Sequence, residues 1–77
     1  LIGNTSLIPL YFPEVNRRIW CKCEFLNPDG SIKDRLARTI IMDAERNGLL
    51  NEHSIILECT SGDTGISFAM LGAARGY

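Results

Sequence analysis

The stretch from Ser54 to Arg75 narrows the choice of fold more than any other part of the chain. Ile55, Ile56 and Leu57 form an unbroken apolar run, which suits a strand from Ser54 to Cys59 covered on both faces, as strands of parallel sheets are. A short loop, Thr60 to Asp63, separates it from Thr64 to Arg75, where Ile66, Phe68, Ala69, Met70, Leu71, Ala73 and Ala74 leave almost no polar side. A helix of that composition should be buried on several sides, with Gly76 as its C-cap. Ahead of the strand, another helix is predicted from about Ile32 to Arg46, closed by Asn47-Gly48. Helix, buried strand, tight loop and buried helix is the order of an α/β protein with a parallel sheet. Upstream, Ile19 to Phe25 has strand character, with Trp20, Lys22 and Glu24 on one face and Cys21, Cys23 and Phe25 on the other. Residues 1 to 18 read as extended and loop structure broken by Pro9 and Pro13, and Asn27-Pro28-Asp29-Gly30 reads as a turn.

Chemistry enters with the first predicted helix. Ser31 and Asp34 form an S-x-x-D capping pattern, which puts Lys33 in the first turn, where the helix dipole disfavours positive charge. Measured from Leu36 at about 100° per residue, Ile32, Leu36, Ile40, Ala44, Ala37 and Ile41 fill an arc from about −40° to 140°, with Lys33 near its middle at about 60°. Such a lysine either lays its stem on the core and frees its amine at the helix end, or is kept neutral by its surroundings. A neutral amine is a nucleophile for carbonyl compounds.

A second candidate is "ECTSGDTG", residues 58 to 65. Ligands of open α/β sheets gather at the carboxyl ends of strands, and a helix N-terminus offers N–H groups to anions. Thr60, Ser61 and Thr64 add hydroxyls, while Gly62 and Gly65 permit close approach. A carboxylate or phosphate would fit, although an ordinary N-cap with packing glycines accounts for the same residues. The spacing matches neither the nucleotide P-loop nor the G-x-G-x-x-G turn.

The composition sets bounds. With 77 residues, a formal net charge of −1 and 45% hydrophobic residues, the chain is neither disordered nor membrane-spanning, and nothing favours nucleic acid or an anionic membrane as partner. Cys21, Cys23 and Cys59, without secretory features, fit reduced cytosolic thiols. Together with His53 they lack zinc-site spacing, so no metal is assigned. A chain this short buries only about 60% of its unfolded surface, and these elements want a sheet that is mostly missing. Beginning at Leu1 and stopping at Tyr77, it reads as a piece, residues 1–77, of a larger domain.

"IGNTSLIPL", "NPDGSIKDRLA", "AERNGLL" and "ECTSGDTGISFAMLGAARGY" follow one another in an order and spacing that resembles the cysteine synthase and cystathionine β-synthase family. These are fold type II (tryptophan synthase β-like) pyridoxal-phosphate enzymes, and the resemblance spans essentially all 77 residues as the N-terminal part of a longer enzyme. It implies a three-layer α/β fold with a parallel sheet, of which only the N-terminal portion is present. It also implies that Lys33 is the lysine joined covalently to pyridoxal phosphate and the base that moves the substrate α-proton. Thr60, Ser61, Gly62, Asp63 and Thr64 match the loop that grips the substrate carboxylate, with Asp63 also beside the cofactor's ring hydroxyl. The implied reaction is β-replacement: L-cysteine from O-acetylserine, or another activated serine, and sulfide, in a cytoplasmic homodimer. Cystathionine or 2,3-diaminopropionate formation, or a catalytically silent binding protein, are the alternatives. Serine and threonine dehydratases share the fold, but their usual lysine motif and S-x-G-N-H loop are absent. The family usually carries asparagine where Asp63 stands, glycine where Asp29 stands, and proline where Cys59 and Ser6 stand. Its phosphate loop and the serine at the pyridine nitrogen would lie beyond Tyr77.

Overall fold

The computed structural model describes residues 1–77. Strand β1 (Leu7–Phe12) pairs antiparallel with β2 (Arg17–Lys22), Leu7 opposite Lys22 and Phe12 opposite Arg17. A 3-10 turn, Pro13–Val15, joins them, with Asn16 in the left-handed region. Within residues 1 to 18, read as extended and loop structure, Leu7–Phe12 is thus a paired strand despite Pro9. Pro9 is tolerated because a two-stranded ribbon consists of edge strands, where a missing N–H costs little. The expected strand Ile19–Phe25 also moves: pairing stops at Lys22, and Glu24–Leu26 forms a 3-10 turn.

Two helices make the core. Helix α1 spans Lys33–Arg46 and α2 spans Asp63–Arg75. Both end as their glycines predict: Gly48 and Gly76 take positive φ. The next residues, Leu49 and Tyr77, donate N–H back to Ala44 and Gly72 in Schellman turns. The helices run parallel, because Asp34 meets Ser67 near their starts while Glu45 meets Arg75 and Tyr77 near their ends. Ala37, Ile41 and Phe68 are buried between them, with Leu50, Ile56, Leu71 and Tyr77 packed around. Small residues set the close approach: Ala37 and Ser67 are completely covered, and a Cβ on Gly72 would sit 3.3 Å from Ile56 Cδ1. Burying side chains such as Ile41 and Phe68 is worth about 1.5–3 kcal/mol each.

The run 54–59 has no hydrogen-bonded neighbour, so the sheet within this chain is the two-stranded β1–β2 ribbon. Its alternation is nonetheless that of a strand. Ile56 faces the helices, whereas Ile55 and Leu57 are 88% and 94% exposed. Within this chain it is covered on one face, not two. Helix α2 likewise buries only Ser67, Phe68 and Gly72, fewer sides than its composition implies. On α1 the buried residues are Asp34, Ala37 and Ile41, while Ile32, Leu36 and Ile40 stay exposed. The predicted arc is thus two faces: one packs on α2 and one is apolar but bare.

Candidate active site

Residues 24–35 are pinned by a polar network. Glu24 Oε2 and Oε1 accept Arg35 Nε and Nη2 at 2.6 and 2.9 Å, and Oε1 also accepts the Thr5 hydroxyl. Those bonds to Arg35 and Thr5 hold the Glu24 carboxyl down at about 2. Buried Asn27 adds its amide, donating to Glu24 and to the Ser31 carbonyl while accepting the Gly3 N–H. The turn closes with Gly30 N–H on Asn27 O at 2.8 Å. Together these bonds fix where α1 begins.

The expected capping box is only half formed. Ser31 Oγ accepts the Lys33 N–H at 3.1 Å, but Ile32 is the residue flanking the helix. Asp34 does not reach back to Ser31. Its Oδ2 accepts the Asp29 N–H at 2.9 Å, and its Oδ1 accepts the Ser67 hydroxyl at 2.6 Å. Asp34 is wholly buried, and a buried carboxylate takes the donors that burial brings, here a turn and a neighbouring helix.

Lys33 is half-buried, and its amine forms no ion pair or hydrogen bond within the chain. The other lysine, Lys22, donates its ammonium to the Thr5 carbonyl. Of the two amines, only that of Lys33 is free to meet a ligand.

At the start of α2, Thr60 does what the sequence assigned to the loop as a whole. Its Oγ1 accepts the N–H groups of Gly62 and Gly65 at 3.1 and 3.2 Å, so Thr60 caps the helix and keeps only its hydroxyl hydrogen to offer. Gly65 must lack a side chain here, since a Cβ would fall 2.4 Å from Thr60 Cγ2. The N–H groups of Asp63 and Thr64, in the first helical turn, have no partner in the chain. Ser61 and Asp63 are exposed, Gly62 and Thr64 partly so.

The Asp34–Ser67 bond brings these two regions together. Lys33 precedes Asp34, and Asp63 lies one turn before Ser67 on α2, so both helix N-termini sit at one end of a parallel pair. A free amine at the same end of the helix pair as two unpaired N–H groups and a hydroxyl donor suits a ligand with a carbonyl and an anionic group. The sequence reading missed the roles of Asp34, Ser67, Glu24 and Asn27. Ser67 carried a signal, as a hydroxyl midway along an otherwise apolar helix. Cys21, Cys23, Cys59 and His53 do not converge, and all three thiols are unpaired. No helix is long and apolar enough to cross a membrane.

The family of pyridoxal-phosphate dependent enzymes matches residues 1–77. This chain belongs to that family. Pyridoxal phosphate is accordingly its cofactor, and the Lys33 amine, without a partner in the chain, fits its aldehyde. A probable cysteine synthase of Bacillus subtilis (strain 168) is 53% identical over the whole chain, which spans 25% of that protein. Cystathionine β-synthase of Apis mellifera is 52% identical over 99% of the chain and 16% of its own length. Among solved structures, a hydrogen sulfide-producing enzyme from Fusobacterium nucleatum superposes with a TM-score of 0.93 at 42% identity, covering 100% of this chain and 26% of that one. O-ureido-L-serine synthase does so at 0.90 and 49%, covering 99% and 24%. The chain thus spans about a quarter or less of the relatives it matches.

Proposed function

We propose that the chain is the N-terminal part of a cysteine synthase, which makes L-cysteine from O-acetylserine, or another activated serine, and sulfide. The observation that carries this is the Asp34–Ser67 bond, which holds the free amine of Lys33 and the open N-terminus of α2 at one end of the helix pair. Lys33 is the residue that would hold pyridoxal phosphate, and Asp63 would stand beside its ring oxygen. The bound cofactor supplies an electron sink for the substrate's α-carbon. The chain's own residues do the rest. Lys33 Nζ takes the α-proton and returns it, a role open to an amine without an internal partner. The N–H groups of Asp63 and Thr64 and the hydroxyls of Thr60, Ser61 and Thr64 bind the substrate carboxylate, with Gly62 giving room for the backbone to approach. Thr60, by accepting the N–H groups of Gly62 and Gly65, fixes the turn of α2 that carries them. The larger fold is the three-layer parallel-sheet arrangement, with Ile55 and Leu57 on the face its next layer covers. We place the whole protein in the cytoplasm as a homodimer.

Asp63 favours a second reading within the same chemistry. A carboxylate at the first residue of α2 repels a substrate carboxylate, where an asparagine amide could donate. A different activated serine or nucleophile, as in cystathionine or 2,3-diaminopropionate formation, would accommodate that change. The deciding experiment is borohydride reduction of the longer holoprotein followed by peptide mapping, with turnover of O-acetylserine and sulfide measured alongside. Pyridoxyl label on Lys33 is expected. Label on Lys22, or on neither lysine, overturns the assignment, and labelled protein without turnover points to the second reading.

A further inference from the structure

Asp29 and Asp34 lie together under the first turn of α1, and no basic side chain reaches either. Asp34 is completely buried, and its two oxygens accept the Ser67 hydroxyl and the Asp29 N–H. Asp29 turns its own Oδ2 into the protein, where that atom is buried and has no donor. An ionised oxygen left this way would lose its hydration with nothing in return. A proton on it removes the charge and creates a donor, and Asp34 is the acceptor at hand.

We propose that Asp29 and Asp34 share one proton, which fastens the 27–30 turn to the first turn of α1 and makes the seat of Lys33 sensitive to pH. Burial, and then the Asp34 charge, push the Asp29 carboxyl above its ordinary value, in keeping with this. The charges on surrounding elements do not interfere. Glu24 and Arg35 are paired with each other, and Lys33 and Asp63 form no side-chain bond within the chain. From α2 the contact is the neutral Ser67 hydroxyl. A raised carboxyl pKa stabilises the fold fully below the unfolded value of 3.8, and that contribution is lost as pH rises through the folded value. Deprotonation also leaves two negative charges beneath the first turn of α1, the turn that Lys33 opens. The α1 dipole offsets part of that charge without supplying the missing donor. The proton-sharing pair stands on its own geometry, and its consequence for cofactor chemistry rests on the reading of Lys33 given above. A glycine at position 29, usual in the resembling family, would hold no such proton.

The test is a carboxyl-carbon NMR titration of the longer protein in cofactor-free form, with thermal melts across pH and amine-reagent labelling of Lys33. Asp29 should titrate above 3.8. Asp29→Asn, whose amide N–H replaces the acid O–H, should remove the fall in Tm with rising pH and the matching step in Lys33 labelling. Asp29 titrating at or below its ordinary value, or D29N melting with the parent's pH dependence, overturns the proposal. The two readings fail separately: a raised Asp29 titration without borohydride capture on Lys33 sinks only the cofactor assignment. Capture on Lys33 with an ordinary Asp29 sinks only the shared proton.

Discussion

Gly65→Ala sets two effects against each other. Alanine is a better helix former than glycine by about 1 kcal/mol, so propensity alone predicts stabilisation. The new Cβ, however, would fall 2.4 Å from Thr60 Cγ2, a separation that forces movement. Thr60 cannot simply rotate, because its Oγ1 accepts the N–H groups of Gly62 and Gly65. Displacing it loses a cap worth about 1 kcal/mol and adds overpacking of about 1–3 kcal/mol. The net expectation is a destabilisation of about 1–3 kcal/mol, or roughly 2–4 °C of Tm per kcal/mol for a domain of 150–250 residues. Substrate carboxylate binding should weaken as well, since the same movement redirects the first-turn N–H groups. The assay is thermal and denaturant unfolding of the longer protein carrying Gly65→Ala, Thr60→Ser or both. Serine keeps the capping oxygen and lacks the clashing methyl, so Thr60→Ser in the Gly65→Ala background should recover most of the loss, giving a favourable coupling in the double-mutant cycle. A Gly65→Ala protein at least as stable as the parent, or no recovery by serine, would show that the Thr60 contact does not hold the loop.

Glu24→Gln should flatten the acid limb of stability. The Glu24 carboxyl titrates at about 2 in the folded chain against 4.5 ordinarily, so its stabilising effect is complete above 4.5 and lost as pH falls towards 2. Equilibrium unfolding of both proteins across that range should show the parent's advantage disappearing, and a pH-independent difference would refute the role given to the Arg35 and Thr5 bonds. Asp63→Asn should raise kcat/KM for O-acetylserine by removing a charge that repels the substrate carboxylate. A fall instead would mean that the aspartate serves a different substrate.

What could be read in the sequence was local. The stops at Gly48 and Gly76, the turn at residues 27–30 and the extents of both helices depend on near neighbours, and they hold to within a residue or so. Lys33 and the 60–64 loop stand out in the sequence for the same reason, since each belongs to a compact motif. The misses lie where a partner is distant in sequence. Nothing in Leu7–Phe12 alone shows that Arg17–Lys22 will pair with it, and the prolines argued against a strand. Asp34 looked like a cap because its local pattern allowed one. The donor it selected, Ser67, lies 33 residues away and becomes available only after α2 packs. Residues 54–59 differ in the opposite sense: their composition suits a strand covered on both faces, and within this chain only the face of Ile56 is covered.

The parallel helix pair is riveted at both ends, by Asp34 to Ser67 at one and by Glu45 to Arg75 and Tyr77 at the other. Two rivets fix both the sliding and the swivel of one rod against its neighbour. The exposed turn within the connection between the rods, Asn51 to His53, therefore carries little responsibility for alignment. It can lengthen or shorten at a closure cost that grows only with the logarithm of its length. The working end of the molecule is thereby insulated from drift in the span that connects its halves.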